Sequence, residues 1–149
     1  AQIEAESLWR WEGQEPIVKE PVLLARRGTN LYGGLNLRLA AIQSQRFVHH
    51  TEGTQAWAGA FGVFPGGKRE CGLLLFPHAS NPYHPPDWVE YPELNWIQPT
   101  FPAAGTRHEL QPGKPLVLRY RLWVRPGGEP SHDLWQSQWQ AYHAITGGE

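Results

Sequence analysis

Residues 72–88 read Gly-Leu-Leu-Leu-Phe-Pro-His-Ala-Ser-Asn-Pro-Tyr-His-Pro-Pro-Asp-Trp, and the rest of the chain is organised around them. The first five residues are the most apolar run in the sequence, which is typical of a buried β-strand. The remainder is rich in proline, whose ring fixes φ, so its backbone is stiff before any tertiary contact forms. A stiff loop with two histidines, an asparagine, an aspartate and two aromatic residues predicts either a ligand site or a structural corner.

Alternating segments flank this stretch on both sides. Residues 116–124 place leucine, tyrosine and valine on one face and arginine and tryptophan on the other, which predicts a long antiparallel strand. Ser131 is a typical N-cap, and residues 132–145 carry tryptophan and tyrosine at helical spacing. Further strands are predicted at residues 2–11, 17–25, 31–40, 46–50, 55–64, 71–76, 88–91 and 95–101. The sequence therefore predicts one all-β domain over residues 1–149, an antiparallel β-sandwich with one C-terminal amphipathic helix.

Composition narrows the classes of function. Lys and Arg number 13 against 14 Asp and Glu, so no basic surface for nucleic acid is indicated. No apolar run approaches the roughly 20 residues of a membrane span. The single Cys71 excludes an internal disulfide and a cysteine-built zinc site, but it leaves the compartment open.

Four segments, taken in order, resemble one known family. They are Tyr-Gly-Gly-Leu-Asn-Leu-Arg at residues 32–38, Pro-His-Ala-Ser-Asn-Pro-Tyr-His-Pro at 77–85, Leu-Asn-Trp-Ile-Gln-Pro-Thr-Phe at 94–101, and the strand at 116–124. Together they resemble the PmoA-like bacterial domains, which also carry the name methane oxygenase. The typical loop of that family reads His-Pro-Ser-Asn-Pro-Arg-His-Pro. Here alanine and tyrosine replace its first proline and its arginine, while the spacing of His78, Asn81 and His84 is kept.

The resemblance implies a galactose-mutarotase-like supersandwich, in a family whose genes often lie among genes of carbohydrate use. It also implies that this chain is the C-terminal half of a larger domain, which agrees with the absence of methionine and with a start inside a predicted strand. An oxygenase activity is not supported by the residues, because no set of metal ligands on membrane helices is present.

His78 and His84 are the candidate catalytic residues, because imidazole titrates near neutral pH and can act as an acid or a base. Two alternatives remain open at this point. The pair could bind a divalent metal together with Glu52 or Asp87, although two histidines alone are a weak metal signal. Both could instead bond to loop carbonyls, while Asn81 caps the turn.

Candidate ligand contacts surround the histidines. Trp88 and Trp96 would offer flat faces for the C–H surface of a sugar, and Gln98 would supply an amide. Asn81 and Glu52 would add hydrogen-bonding groups. Arg38 and Arg119, on the polar faces of their strands, would bind a carboxylate of an acidic sugar, or else pair with surface acids.

Three hypotheses of function follow. The first is a domain that binds a carbohydrate or polyol, with a histidine as acid or base if it is catalytic. The second is an assembly module that forms a homo-oligomer, or binds a partner chain, to cover its sheet edges and its tryptophan-rich face. The third is metal-dependent chemistry at His78 and His84.

Overall fold

The structure is a computed structural model that describes residues 2–6, 21–25 and 33–146. Ten strands, one 3-10 helix and one α-helix account for most of these residues. In chain order they are β1 (Gln2–Glu6), β2 (Val22–Ala25), β3 (Leu37–Arg38), β4 (Gln43–Glu52), β5 (Gln55–Val63), β6 (Cys71–Pro77), β7 (Trp88–Tyr91), the 3-10 helix Pro92–Leu94, β8 (Trp96–Pro99), β9 (Arg107–Leu110), β10 (Arg119–Pro126) and α1 (His132–Thr146).

The largest layer is a five-stranded antiparallel sheet with the order β1-β10-β6-β5-β4. The apolar strand β6 lies at its centre, where Leu74 pairs with Gly59 of β5 and with Trp123 of β10. A second sheet has the order β3-β8-β7, and β2 pairs with β9 in a third. All pairings are antiparallel, so the predicted all-β class with one C-terminal helix is confirmed.

Helix α1 covers one face of the five-stranded sheet through an aromatic core. Trp135 stacks parallel to Trp57 at a centroid distance of 6.0 Å and meets the edge of Phe61 at 6.1 Å. Gly59 lies between them, and a Cβ there would be 2.8 Å from the Trp135 ring. The small residue thus lets the helix approach the sheet closely. The buried core on this face comprises Trp57, Phe61, Leu74, Phe76, Trp135 and Tyr142.

The opposite face of the sheet is lined by small and aliphatic side chains. Side chains alternate along a strand, so the neighbours of Trp57 and Phe61 point away from the helix. They are Ala56, Ala58 and Ala60, each at most 1% exposed. Strand β7 reaches the same face, where Glu90 bonds to His49 and Trp88 bonds to Thr51 of β4. The five-stranded sheet therefore lies between the helix and the smaller sheet.

Helix α1 crosses the strands rather than following one of them. It begins after Ser131, whose hydroxyl accepts from the N–H of Leu134 at 3.4 Å, as the sequence predicted for an N-cap. His132 at its first turn contacts His50 of β4. Tyr142 near its end contacts His78 just after β6. The crossing brings the C-terminal turn of the helix to the start of the proline-rich loop.

Several strand limits differ from the predicted ones. Within residues 33–40, the described part of the strand expected at 31–40, only Leu37–Arg38 is a strand, and the strand expected from residue 116 begins at Arg119. In both cases the alternation of apolar and polar residues continues past the last residue that pairs with a neighbouring strand. The strand is therefore shorter than the alternating segment. β9 was not predicted at all. The expected strand segments 7–11 and 17–20 lie outside the described residues.

Among the described residues, no helix is both long enough and apolar enough to cross a membrane.

Replacing Trp135 with alanine removes the side chain that touches Trp57, Phe61 and Phe76. We expect the free energy of unfolding to fall by about 3–5 kcal/mol, because a large buried ring leaves a cavity. Urea denaturation measures this loss. Gln140→Ala, at an exposed position of the same helix, is the control and should stay within about 0.5 kcal/mol of wild type. Equal losses in both variants would contradict the packing described above.

Candidate functional site

The histidine loop, residues 78–87, is fastened to strand β10 through one side chain. Nδ2 of Asn81 donates to the carbonyl oxygen of Arg119 at 2.8 Å, and Oδ1 of Asn81 accepts from the N–H of Arg119 at 2.7 Å. The N–H of His78 donates to the same carbonyl oxygen at 2.9 Å. A carboxamide has the donor and acceptor of a peptide group, so Asn81 acts here as an extra strand partner. This geometry favours the structural alternative for Asn81.

His78 follows β6 and is only 8% exposed. Its Nδ1 accepts from the N–H of Ser80 at 3.1 Å and lies 2.7 Å from the Ser80 hydroxyl. Because a backbone N–H only donates, the neutral ring carries its proton on Nε2. Burial, followed by the nearby His143, Arg119 and His84, lowers the pKa of His78 to about 4. The ring is therefore neutral at physiological pH.

His143, from the last turns of α1, stacks on His78 with a centroid distance of 4.5 Å and an interplanar angle of 11°. Its Nδ1 lies 2.7 Å from the carbonyl oxygen of Trp139, which can only accept, so Nδ1 bears the proton. Its Nε2 then accepts from the N–H of Ala79 at 2.9 Å. Burial is the main cause that lowers the pKa of His143. This residue connects the helix to the loop.

His84 lies at the other end of the loop and binds a different element. Its Nε2–H donates to the carbonyl oxygen of Thr54 at 2.7 Å. Its Nδ1 is buried and has no hydrogen-bond partner within the described part of the chain. Burial lowers the pKa of His84, so this nitrogen is a bare acceptor at neutral pH. His78, His84 and His143 are called the histidine cluster below.

Trp88 lies beside the hairpin end, residues 51–54, where β4 turns into β5. Its Nε1 donates to the Thr51 hydroxyl at 3.2 Å. Its ring lies almost parallel to His49 at 6.4 Å, and Nδ1 of His49 is 2.9 Å from the Glu90 carboxylate. Glu52, on the same hairpin end, has a side chain that is 80% exposed and lies 3.7 Å from His50.

The other predicted contacts lie elsewhere. Trp96 and Gln98 are on β8, and Gln98 is fully buried. On β7, Glu90 faces the five-stranded sheet; its pairing with Ile97 therefore places Trp96 and Gln98 on the opposite face of the small sheet. Arg38 is exposed on β3 and pairs with Trp96. The structure thus groups His78, Asn81, His84 and Arg119 around the loop, but it does not bring Trp96, Gln98 and Arg38 to them.

A metal centre was one of the open alternatives for the two predicted histidines. Among the residues that the structure describes, no three His, Cys, Asp or Glu side chains are arranged to hold a metal ion. The described geometry therefore lends the metal hypothesis no support.

Comparison with known proteins places the chain in a family. The model of a family of unknown function, DUF6807, matches residues 10–140. The chain belongs to the DUF6807 family. No curated protein matches it, and no solved structure does. The geometry of this DUF6807 member is therefore the main guide to its function.

Sequence reasoning missed His143, which completes the cluster in this DUF6807 domain. The only local signal was its position four residues after Trp139, with which it shares a helix face and stacks at 3.9 Å. It also missed that Arg121 would be buried, with its guanidinium 4.5 Å from the centre of the Tyr142 ring. The contacts of His143 with His78 and of Arg121 with Tyr142 join residues that are far apart in the sequence.

Replacing Asn81 with alanine removes both of its bonds to the Arg119 backbone. We expect the free energy of unfolding to fall by about 2–4 kcal/mol, because two part-buried backbone groups lose a partner. Asn36→Ala is the matched control, since Asn36 is exposed and makes one bond, to the carbonyl oxygen of Gly34. Urea denaturation compares the two variants, and an Asn81 variant as stable as the control would refute the structural role.

Proposed function

We propose that this domain binds a carbohydrate or related polyol at the hairpin end of β4 and β5. The observation that carries the proposal is that Trp88 and His84 both hydrogen-bond to this four-residue segment, through Thr51 and Thr54. An aromatic ring and an imidazole with a bare acceptor are thereby grouped around one turn. This combination suits a ligand that has both an apolar C–H face and hydroxyl groups.

Trp88 supplies the flat surface in this proposal. Its ring is half-buried, and its bond to Thr51 and its contact with His49 hold it in place. A side chain that is already fixed loses little conformational entropy when a ligand stacks on it. Its contribution to affinity would therefore be larger than that of a mobile surface tryptophan.

His84 supplies the hydrogen-bond acceptor. At neutral pH its Nδ1 carries no proton and has no hydrogen-bond partner in the described part of the chain. By contrast, Nδ1 of His78 and Nε2 of His143 already accept from backbone N–H groups. A ligand hydroxyl that donates to His84 would satisfy a buried atom that is otherwise costly. If the bound sugar also reacts, the base is His84 rather than His78, because only a bare nitrogen can take a proton without losing a bond.

The resemblance to PmoA-like domains supports the same class of ligand and stays a prediction. Glu52, exposed on the same hairpin end, offers a carboxylate to ligand hydroxyls. The candidate residues Trp96, Gln98 and Arg38 are not part of this proposal, because they lie on the other face of the small sheet.

A titration panel of neutral, amino and acidic sugars and of glycerol tests the proposal. We expect isothermal calorimetry at neutral pH to detect at least one ligand of the panel. His84→Gln keeps a donor for the Thr54 carbonyl oxygen and removes the Nδ1 acceptor, so affinity should fall about tenfold. Trp88→Leu removes the ring and should weaken binding by at least as much.

Lys68→Gln is the control, because Lys68 is exposed in the turn between β5 and β6, at the other end of β5 from the hairpin end. Its affinity should match that of wild type. A panel without binding to folded wild-type protein would reject the proposed function, and unchanged binding in both site variants would reject the site.

An assembly role is the second candidate, and exposed apolar side chains favour it. Leu23 is 55% exposed and Val22 is 41% exposed on β2, which pairs with β9 in a sheet of two strands among the described residues. Exposed aliphatic groups on a small sheet are typical of a surface that another chain covers.

Replacing Leu23 with lysine tests the assembly role by placing a charge on this surface. If copies of the chain associate there, light scattering should give a dimer mass for wild type and a monomer mass for the variant. Gln140→Lys, at an exposed position of helix α1, adds the same single positive charge away from β2 and is the control. A monomeric wild-type protein at high concentration would contradict self-association.

A further inference from the structure

The histidine cluster brings together side chains from three parts of the molecule. His143 belongs to helix α1, His78 follows the central strand β6, and His84 binds the hairpin end. The rings of His78 and His143 are stacked face to face. The cluster therefore attaches the C-terminal end of helix α1 to the loop that carries His84.

The bonds that His143 and His78 accept from backbone N–H groups require a neutral imidazole, whereas Nε2–H of His84 can donate to Thr54 in either protonation state. Nε2 of His143 accepts from the N–H of Ala79. Nδ1 of the same ring already carries a proton, which it donates to the carbonyl oxygen of Trp139. A second proton would have to enter on Nε2, where it would face an N–H group that can only donate. Protonation would therefore break the bond between helix and loop.

The same logic holds for His78. Its Nδ1 accepts from the N–H of Ser80, so a second proton there would break this bond, and the new N–H would donate to the Ser80 hydroxyl instead. Two protonated rings at 4.5 Å would also repel each other across the stack. His84 has one bare nitrogen, and a proton on it would add a third charge to the cluster.

The neighbouring charged groups oppose protonation. Strand β10 contributes Arg119 and Arg121, and the guanidinium of Arg121 lies over Tyr142 of the helix. Arg119 and His84 act on His78, while Arg121 and His84 act on His143. Burial lowers the pKa values of all three histidines below the ordinary value of imidazole, and for His78 and His143 the neighbouring charged groups add to this effect.

We infer that the histidine cluster is an acid-operated latch: protonation of His143 and His78 detaches the end of helix α1 from the histidine loop and thereby weakens the support of the loop that carries His84. The folded state prefers the neutral rings and the released state prefers the charged ones. The latch is therefore closed above the ordinary imidazole pKa and opens as the pH falls below it, towards about 4. Control of ligand affinity by this latch rests on the proposed function, whereas the release of the helix does not.

The probe of the latch itself is the amide of Ala79, which bonds to His143. Hydrogen exchange followed by NMR gives its protection factor without any ligand. We expect the wild-type protection factor to fall about tenfold or more between about pH 7 and about pH 4.5, as the bond is lost. Trp139, which stacks on His143, should change its fluorescence over the same range.

A double variant, His78→Asn with His143→Gln, separates the latch from general acid unfolding. Asn places an acceptor near Nδ1 and Gln places one near Nε2, and neither side chain takes up a proton in this range. We expect this variant to keep the protection of Ala79 at the acidic pH. His132→Gln, at the opposite end of the same helix, is the control and should behave as wild type does.

Sugar affinity measured at both pH values separates the two proposals. Affinity that falls with pH in wild type and stays constant in the double variant supports the latch and its control of the site. Loss of Ala79 protection with no sugar bound at any pH supports the latch and rejects the proposed function. Equal loss of Ala79 protection in wild type and in the double variant would overturn the latch.

Discussion

The stacking of Trp135 on Trp57, over the bare backbone of Gly59, is the contact on which the rest of the arrangement depends. It fixes where helix α1 crosses the five-stranded sheet. A helix held at that point directs its last turns to the start of the histidine loop, and His143 then meets His78. The hydrophobic core and the polar cluster are thus consecutive parts of one interface, in which burial supplies most of the stabilisation.

The position of the histidine loop depends on a second constraint, which is a set of hydrogen bonds. Proline stiffens it, but stiffness alone does not determine its direction. The direction comes from Asn81, which bonds to the backbone of Arg119 as a neighbouring strand would. With the start of the loop held by β10 and its middle held through His84 by Thr54, the chain reaches Trp88 in a defined position. A site around the hairpin end becomes possible only because both attachments are present.

The chemical character of this end of the molecule follows from its neutral imidazoles. Buried rings beside arginine side chains favour the uncharged form. Neutral imidazoles offer one donor and one acceptor each, and the structure uses both in His143. His84 is different, because its Nδ1 has no hydrogen-bond partner among the described residues. That difference is the reason to assign ligand contact to His84 and attachment to His78 and His143.

Local features could be predicted from the amino-acid sequence alone: the apolar strand β6, the alternation of β10, the N-cap at Ser131, the helix and the stiff loop with two histidines. Each is set by neighbours within a few residues, and so it leaves a periodic or capping signal. The folded structure was needed to show that His143 completes the cluster, that Asn81 binds Arg119, and that Gln98 is buried away from the loop. These three features depend on contacts between residues that are distant in sequence, and such contacts produce no periodic pattern in the sequence.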